Sequence, residues 1–124
     1  MTSLSVLIVD DSLITVKKLT AMVEGLGHRV VASAASGEKA LEGYRAFLPD
    51  LVTMDITMPD MDGVEATRRI VKEFPQARVI MVTSHGQERM VIDALDAGAG
   101  GYVLKPVRVE KLIDMIDKVM ARSR

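Results

Sequence analysis

Five short runs of aliphatic residues, separated by longer segments, constrain the fold of this chain more than any other feature of its sequence. Most of the runs are apolar at consecutive positions, which is typical of strands covered on both faces of a parallel sheet. A strand with one solvated face would alternate apolar and polar residues instead. The runs lie at residues 6–9, 30–32, 51–54, 79–82 and 102–104. We therefore predict a parallel sheet of five strands.

After each run comes a segment in which apolar residues recur with the period of an α-helix. We expect each of these five apolar stripes to pack into the core. The stripes are Val16, Leu19, Val23 and Leu26; Ala40, Leu41, Tyr44 and Leu48; Thr67, Ile70, Val71 and Phe74; Val91, Ala94 and Leu95; and Val109, Leu112, Ile113, Ile116 and Met120. Five βα units with right-handed crossovers predict an α/β fold, a doubly wound five-stranded parallel sheet with helices on both faces.

Composition and charge exclude several functional classes. Hydrophobic residues make up 48% of the 124 residues, enough for one core, so we expect a single domain over 1–124 with no output domain. The 16 Lys and Arg nearly balance the 17 Asp and Glu, and a net charge of −1 argues against a nucleic-acid surface. Cysteine is absent, which excludes thiol catalysis. Without a signal peptide or an apolar stretch of ~20 residues, we expect a cytoplasmic protein, taken to be a monomer without membrane partners.

Charged and hydroxyl side chains follow four of the five runs. Asp10 and Asp11 follow the first run, Asp55 the third, Thr83 the fourth and Lys105 the fifth. The carboxyl ends of the strands in an open parallel sheet meet at one edge, and ligands bind there. We therefore expect three carboxylates, one hydroxyl and one ammonium group to lie close together.

Three neighbouring carboxylates repel one another, and the pKa of at least one would rise unless positive charge is supplied. Lys105 is one source of that charge. A divalent cation such as Mg²⁺ is another, because it prefers oxygen ligands and often takes only one or two carboxylates besides water and phosphate oxygens. A lone aspartate at a strand end is more often a helix cap or a turn residue. The convergence of five such side chains at one edge favours a functional site.

Four spaced elements of the sequence are distinctive in combination. They are Asp10-Asp11, the segment 54–63, Val82-Thr83-Ser84 and Lys105-Pro106. Over essentially the whole chain they resemble the receiver domain of two-component response regulators, and most of all its chemotaxis members. The resemblance implies a flavodoxin-like sheet with strand order 2-1-3-4-5 and a cis peptide before Pro106.

The resemblance also implies a phosphoacceptor site. Asp55 would accept a phosphoryl group from a sensor histidine kinase, so the chain would be a signalling switch that catalyses its own phosphorylation and dephosphorylation, not an enzyme. Mg²⁺, or Mn²⁺ in its place, would be bound by Asp10, Asp11, Asp55 and the backbone carbonyl of Thr57. The physics agrees, because phosphoryl transfer spreads negative charge over three oxygens that a cation can stabilise.

A switch is implied as well. Thr83 and Lys105 would contact the phosphoryl oxygens, and Tyr102 would change rotamer when Thr83 moves. Thr57 and His85 occupy positions that would tune the lifetime of the phosphorylated form. The expected output partner is a flagellar motor switch protein, and a shuttle within a phosphorelay is the second choice.

Two other classes remain as alternatives. A phosphatase with an aspartate nucleophile needs an acid two residues after that aspartate, and Thr57 stands there, which disfavours this class. A flavin or nucleotide carrier would cradle phosphate after the first run, where Asp10 and Asp11 would repel it. We assign no chemistry to Asp60 and Asp62, which belong to a turn, and we expect a solvated His28.

Overall fold

The computed structural model describes residues 3–84 and 86–121, and these form five strands that alternate with five helices. The strands are β1 (Ser5–Val9), β2 (Arg29–Ala34), β3 (Leu51–Met54), β4 (Val79–Thr83) and β5 (Gly101–Leu104). The helices are α1 (Leu13–Gly25), α2 (Gly37–Phe47), α3 (Gly63–Glu73), α4 (Glu88–Asp96) and α5 (Val109–Ala121). None of these helices has both the length and the apolar character that crossing a bilayer requires.

The sheet is parallel throughout, with the order β2-β1-β3-β4-β5. Both the predicted α/β fold and the predicted strand order are confirmed. The strand order reverses at β1, so β1 and β3 lie side by side at the centre of the sheet. Ligand sites in such sheets lie beyond the carboxyl ends of the strands, beside this switch point.

Two hydrophobic cores cover the two faces of the sheet. On β1, Leu7 and Val9 join the core that α2, α3 and α4 cover, whereas Val6 and Ile8 join the core that α1 and α5 cover. All four side chains are at most 1% exposed, which explains why the run is apolar at every position.

Three helices begin with the side-chain caps that small polar residues provide. Ser12 Oγ accepts a hydrogen bond from the Thr15 N–H of α1. In the same way, Ser36 caps α2 and Asp62 caps α3. These caps fix where each helix starts, and therefore how long each loop at the carboxyl edge of the sheet is.

Two of the predicted apolar stripes contain residues that are exposed and do not reach the core. Leu48 follows the last residue of α2 in the left-handed conformation, with φ of 44°, and its side chain is 59% exposed. On α5, Leu112 and Ile116 are buried, but Ile113 is 37% exposed and Val109 36%. The prediction that Leu48, Val109 and Ile113 belong to the core was wrong, because a helix buries only the part of its stripe that meets the sheet.

On α4, the prediction that Leu95 belongs to the core was wrong for a different reason. Ala94 is buried, whereas Leu95 is 45% exposed and so is Ile92. On the neighbouring edge strand β5, Tyr102 and Leu104 are exposed as well. Because α4 does not cover this side of β5, an apolar surface remains open between the two elements.

His28 is not simply solvated, contrary to the prediction from the sequence. Its side chain is half-buried, and its Nδ1 accepts a hydrogen bond from the backbone N–H of Leu4 at 3.1 Å. The Arg29 N–H donates to the Leu4 carbonyl at 2.8 Å. His28 therefore extends the pairing of β1 with β2 by one more hydrogen bond.

The backbone strain at Leu48 gives a test of the fold. A leucine in the left-handed region is unfavourable, so Leu48→Gly should raise the free energy of unfolding by about 1 kcal/mol. Ala46→Gly, at an exposed position inside α2, is the matched control and should lower it by about 1 kcal/mol. Urea unfolding followed by circular dichroism measures both, and a loss of stability in Leu48→Gly would contradict the left-handed assignment.

Candidate functional site

Hydrogen bonds that continue the sheet beyond the strand ends hold the backbone of three predicted site residues. Each of the three donates its N–H to a carbonyl of the adjacent strand. The pairs are Asp10 to Ala34 (2.9 Å), Asp55 to Val9 (2.9 Å) and Lys105 to Thr83 (2.8 Å). The site is therefore built on sheet backbone and not on free loops.

Local contacts also fix the two loops that carry the carboxylates. Asp10 Oδ1 accepts a hydrogen bond from the Ser12 N–H at 2.8 Å, which turns the chain into α1. After Asp55, the Gly63 N–H donates to the Ile56 carbonyl at 2.6 Å and closes the loop before α3. A side chain at position 63 would collide with the Asp55 carbonyl, so only glycine permits this close approach.

The carboxylates of Asp10, Asp11 and Asp55 converge at the carboxyl edge of the sheet. One oxygen from each lies within 4.8 Å of the other two. Lys105 Nζ lies 2.8 Å from Asp10 Oδ2 and 3.4 Å from Asp55 Oδ1. Asp10 and Asp55 are buried, at 2% and 7% exposure, whereas Asp11 is exposed. The predicted clustering of these four side chains is thus present in the structure.

Burial and repulsion set the ionisation of this cluster. Burial raises the pKa of Asp55 above its ordinary value, and the charge of Asp10 raises it further, against the opposing effect of Lys105. For Lys105, burial disfavours the charged form, but the close contact with the Asp10 carboxylate and the charge of Asp55 outweigh it and raise the pKa. Lys105 is therefore a firmly protonated ammonium group between two carboxylates.

The residues fit a divalent cation. Three carboxylates and one ammonium group carry a formal charge of −2, which a divalent ion would neutralise. Asp10 Oδ2 is buried and accepts no hydrogen bond from the described residues, so its contact with Lys105 is ionic. Oxygen ligands from carboxylates are those that Mg²⁺ prefers. Such an ion would supply positive charge beside Asp55 and offset the repulsion described above.

Thr83 and Tyr102 lie on one face of the sheet. Thr83 ends β4 and is 1% exposed, whereas Tyr102 on β5 is 38% exposed. The register pairs Thr83 with Leu104, and Met81 with Tyr102. Residues paired across parallel strands point to the same side, and so do alternate residues along one strand. Thr83 and Tyr102 are therefore diagonal neighbours, as a coupled pair would need to be.

A scan of the sequence against protein families adds the deciding observation. Residues 6–117 match the model described as the response regulator receiver domain. The chain belongs to this family. Receiver domains are phosphoacceptor signalling switches of two-component systems that bind Mg²⁺, so membership favours a switch over the phosphatase and flavin alternatives.

Several proteins that are similar to this chain are chemotaxis proteins. The chemotaxis protein CheY of Bacillus subtilis is 43% identical over 93% of this chain and 96% of that protein. The CheY of Thermotoga maritima is 40% identical over 92% of this chain and 95% of that protein. Among solved structures, a chain of the CheX–CheY–BeF₃–Mg²⁺ complex from Borrelia burgdorferi superposes with a TM-score of 0.91 at 39% identity. That match covers 95% of this chain and 90% of the other.

Some predictions about the receiver domain remain untested. Thr57 is exposed two residues after Asp55, and the role of its carbonyl as a metal ligand stays a prediction. His85 lies outside the described residues, so its effect on phosphoryl lifetime stays a prediction too. The predicted cis peptide between Lys105 and Pro106 is confirmed.

Sequence reasoning missed the contacts of Asp60. Its carboxylate accepts hydrogen bonds from the Gly37 and Glu38 N–H groups at the start of α2, each at 2.9 Å. A motif within one loop gives no signal of this, because the partners lie 22 and 23 residues earlier. Asp62, also placed in a turn, is the cap of α3.

The raised pKa of Asp55 predicts a stabilising substitution. Asp55→Asn removes a buried charge, so in metal-free buffer at neutral pH it should raise the free energy of unfolding by about 1 kcal/mol. Folded parent protein binds more protons than unfolded protein between the ordinary and the raised pKa of Asp55. The advantage of the variant is therefore full above the raised pKa and disappears as the pH falls to the ordinary value.

Urea unfolding at several pH values measures this difference. The matched control is Asp117→Asn, the same chemical change at an exposed position on α5. It should alter stability by less than about 0.5 kcal/mol at every pH. If the parent protein is as stable as Asp55→Asn at neutral pH, the charge of Asp55 does not destabilise the folded state, and the prediction is wrong.

Proposed function

We propose that the chain is a stand-alone response regulator acting in the cytoplasm, in chemotaxis and control of the flagellar motor. A sensor histidine kinase phosphorylates Asp55, and the phosphorylated form changes the surface that binds the output partner. Mg²⁺ is the metal of the site, held by Asp10, Asp11, Asp55 and the carbonyl of Thr57, and Mn²⁺ can replace it.

The observation that carries the proposal is the position of Lys105 between Asp10 and Asp55, with Nζ 2.8 and 3.4 Å from their oxygens. An ammonium group held there can contact both Asp55 and an oxygen of an incoming phosphoryl group. An Asp55 oxygen forms the new O–P bond while the P–N bond of phosphohistidine breaks, and the electron pair of that bond goes to the ring nitrogen. Because the other ring nitrogen of the phosphohistidine already carries a proton, the leaving group is a neutral imidazole. Lys105 holds its own proton throughout, as its raised pKa requires.

The proposed output surface consists of α4, β5 and α5. Its exposed apolar side chains are Ile92, Leu95, Tyr102, Leu104 and Ile113, between 37% and 49% exposed. Exposed apolar groups on neighbouring elements are typical of protein-binding surfaces. Thr83 and Tyr102 connect Asp55 physically to this surface. When the Thr83 hydroxyl moves toward a phosphoryl group on Asp55, it leaves space on the sheet face that the Tyr102 side chain also occupies.

Relatives support the stand-alone and chemotactic parts of the proposal. The chain spans 96% and 95% of the CheY proteins of Bacillus subtilis and Thermotoga maritima. By contrast, it covers 43% of the response regulator protein VraR of Staphylococcus aureus. We infer an output through protein binding, with a flagellar motor switch protein as the partner.

Phosphorylation of Asp55 can be tested with acetyl phosphate as the donor. With Mg²⁺ present, intact mass spectrometry should show one added phosphoryl group, which should vanish in Asp55→Asn and on chelation of the metal. The matched control is Asp62→Asn, which keeps the α3 cap because asparagine also accepts that hydrogen bond. Undiminished labelling of Asp55→Asn would overturn the assignment.

The switch can be tested with beryllofluoride as a phosphoryl mimic. With Mg²⁺, the mimic should shift the amide resonances of residues 87–97 and those around Tyr102 in the parent protein. Thr83→Ala should bind the mimic but show much smaller shifts, because it lacks the hydroxyl that distinguishes the two states.

The matched control is Thr83→Ser, which retains the hydroxyl and should behave like the parent protein. Nuclear magnetic resonance titration reports both binding and transmission in each variant. Equal shifts in the parent and in Thr83→Ala would show that Thr83 does not couple the site to the output surface.

A further inference from the structure

The loop between β3 and α3, residues 55–62, connects the phosphoacceptor to α3 and also contacts α2, which packs beside α3 on the same face of the sheet. Its two ends are held within its own βα unit, since Asp55 continues the sheet and Asp62 caps α3. Its middle is held differently. Asp60 projects away from this unit and binds the start of α2, an element that precedes β3 in the chain.

Both oxygens of Asp60 take part in this contact. Oδ1 accepts from the Gly37 N–H and Oδ2 from the Glu38 N–H, each at 2.9 Å. Ser36, the N-cap residue of α2, accepts a hydrogen bond from the Lys39 N–H instead. Asp60 therefore satisfies two helix N–H groups that the α2 cap leaves open, at the positive end of the helix dipole.

Packing reinforces the hydrogen bonds. The Met61 side chain lies against Gly37 so closely that a side chain at position 37 would collide with it. Hydrogen bonds from the Glu38 and Gly37 N–H groups lower the pKa of Asp60, so the contact is made by the charged form. The middle of the loop is thus attached to α2 by a carboxylate and by a packed side chain.

The attached segment lies next to the proposed metal site. Thr57, whose carbonyl we assign as a ligand, is three residues before Asp60, and Asp55 is five residues before it. A backbone carbonyl can be a ligand only if its peptide unit is held in position. The side chains of Ile56 and Met58, on either side of Thr57, are buried in the core, and the contacts of Asp60 and Met61 with α2 attach the residues that follow.

We propose that Asp60 is a positioning residue of the metal site: by binding the first N–H groups of α2 it fixes the loop that presents the Thr57 carbonyl, and so sets the affinity for Mg²⁺. The inference rests on the proposed function, because it takes that carbonyl as a ligand. Asp60 touches neither the metal nor the phosphoryl group and acts through the backbone. The start of α2 thereby becomes part of the support of the site.

Mg²⁺ binding to the full chain, followed by nuclear magnetic resonance titration, tests the proposal. Asp60→Ala should weaken Mg²⁺ binding by on the order of tenfold, as loss of an outer-shell support does. Asp60→Asn keeps an oxygen that accepts a hydrogen bond and should lie between Asp60→Ala and the parent. In metal-free protein, the amide resonances of Thr57 and Met58 should already move in Asp60→Ala.

Two control variants separate positioning from helix stability and from charge. Ser36→Ala removes a cap bond from the same end of α2 without touching the loop, and Glu38→Gln removes an exposed negative charge at that end. Both should bind Mg²⁺ within about twofold of the parent, because neither changes the contact with Asp60. Urea unfolding confirms that each variant is folded under the titration conditions.

The outcomes are distinguishable. The positioning role is overturned if Asp60→Ala binds Mg²⁺ as tightly as the parent. It is also overturned if Asp60→Asn loses as much Mg²⁺ affinity as Asp60→Ala. Either result leaves the proposed function intact. A similar loss in Ser36→Ala would overturn it as well, because helix stability would then explain the effect. If Asp11→Ala binds Mg²⁺ as tightly as the parent, the metal site itself is wrongly assigned, and the proposed function fails with it.

Discussion

The repulsion among three carboxylates at one edge of the sheet is the interaction on which the rest of this structure depends. Two of them, Asp10 and Asp55, are buried, and burial makes their charge more costly. Lys105 offsets part of that cost with one positive charge. The remaining negative charge suits a divalent cation, and neutralising it would let a phosphoryl group approach Asp55. The same unfavourable electrostatics therefore underlie both the proposed metal binding and the proposed phosphoryl acceptance.

Such a cluster can exist only because the fold around it is rigid. Hydrogen bonds that extend the sheet hold the backbones of Asp10, Asp55 and Lys105, and two apolar cores cover the faces of the sheet. The periphery is less completely packed. The open apolar surface between α4 and β5 is where a change at Thr83 could alter the exposure of a side chain without disrupting a core. Rigidity at the site and incomplete packing at the edge suit a protein whose site drives a change in its surface.

Much of this arrangement could be predicted from the sequence, for physical reasons. Runs that are apolar at every position indicate buried parallel strands, and the carboxyl ends of such strands must share one edge. The proximity of Asp10, Asp11, Asp55 and Lys105 therefore follows from their positions directly after these runs. The strand order was predicted on another basis, the family resemblance, because no local pattern in the sequence specifies which strands become neighbours.

The features that escaped prediction depend on long-range geometry. Helical periodicity placed Leu48 and Leu95 in the core, but it does not reveal where a helix leaves the sheet or which edge strand stays uncovered. The link from Asp60 to α2 joins residues far apart in the chain, and its carboxylate resembles any turn aspartate. His28 likewise finds its partner, the Leu4 N–H, only once β1 and β2 are paired.

The central claim is that Asp55 alone among the neighbouring aspartates accepts the phosphoryl group. Borohydride reduces an aspartyl phosphate to homoserine, so treatment of the phosphorylated parent protein marks the acceptor residue. Trypsin releases the peptide 46–68, which also contains Asp50, Asp60 and Asp62, and the peptide 1–17, which contains Asp10 and Asp11. Tandem mass spectrometry can tell these positions apart. We predict homoserine at position 55 and at none of the other five. Homoserine at any of those five positions, or no conversion despite phosphoryl uptake, would contradict the account.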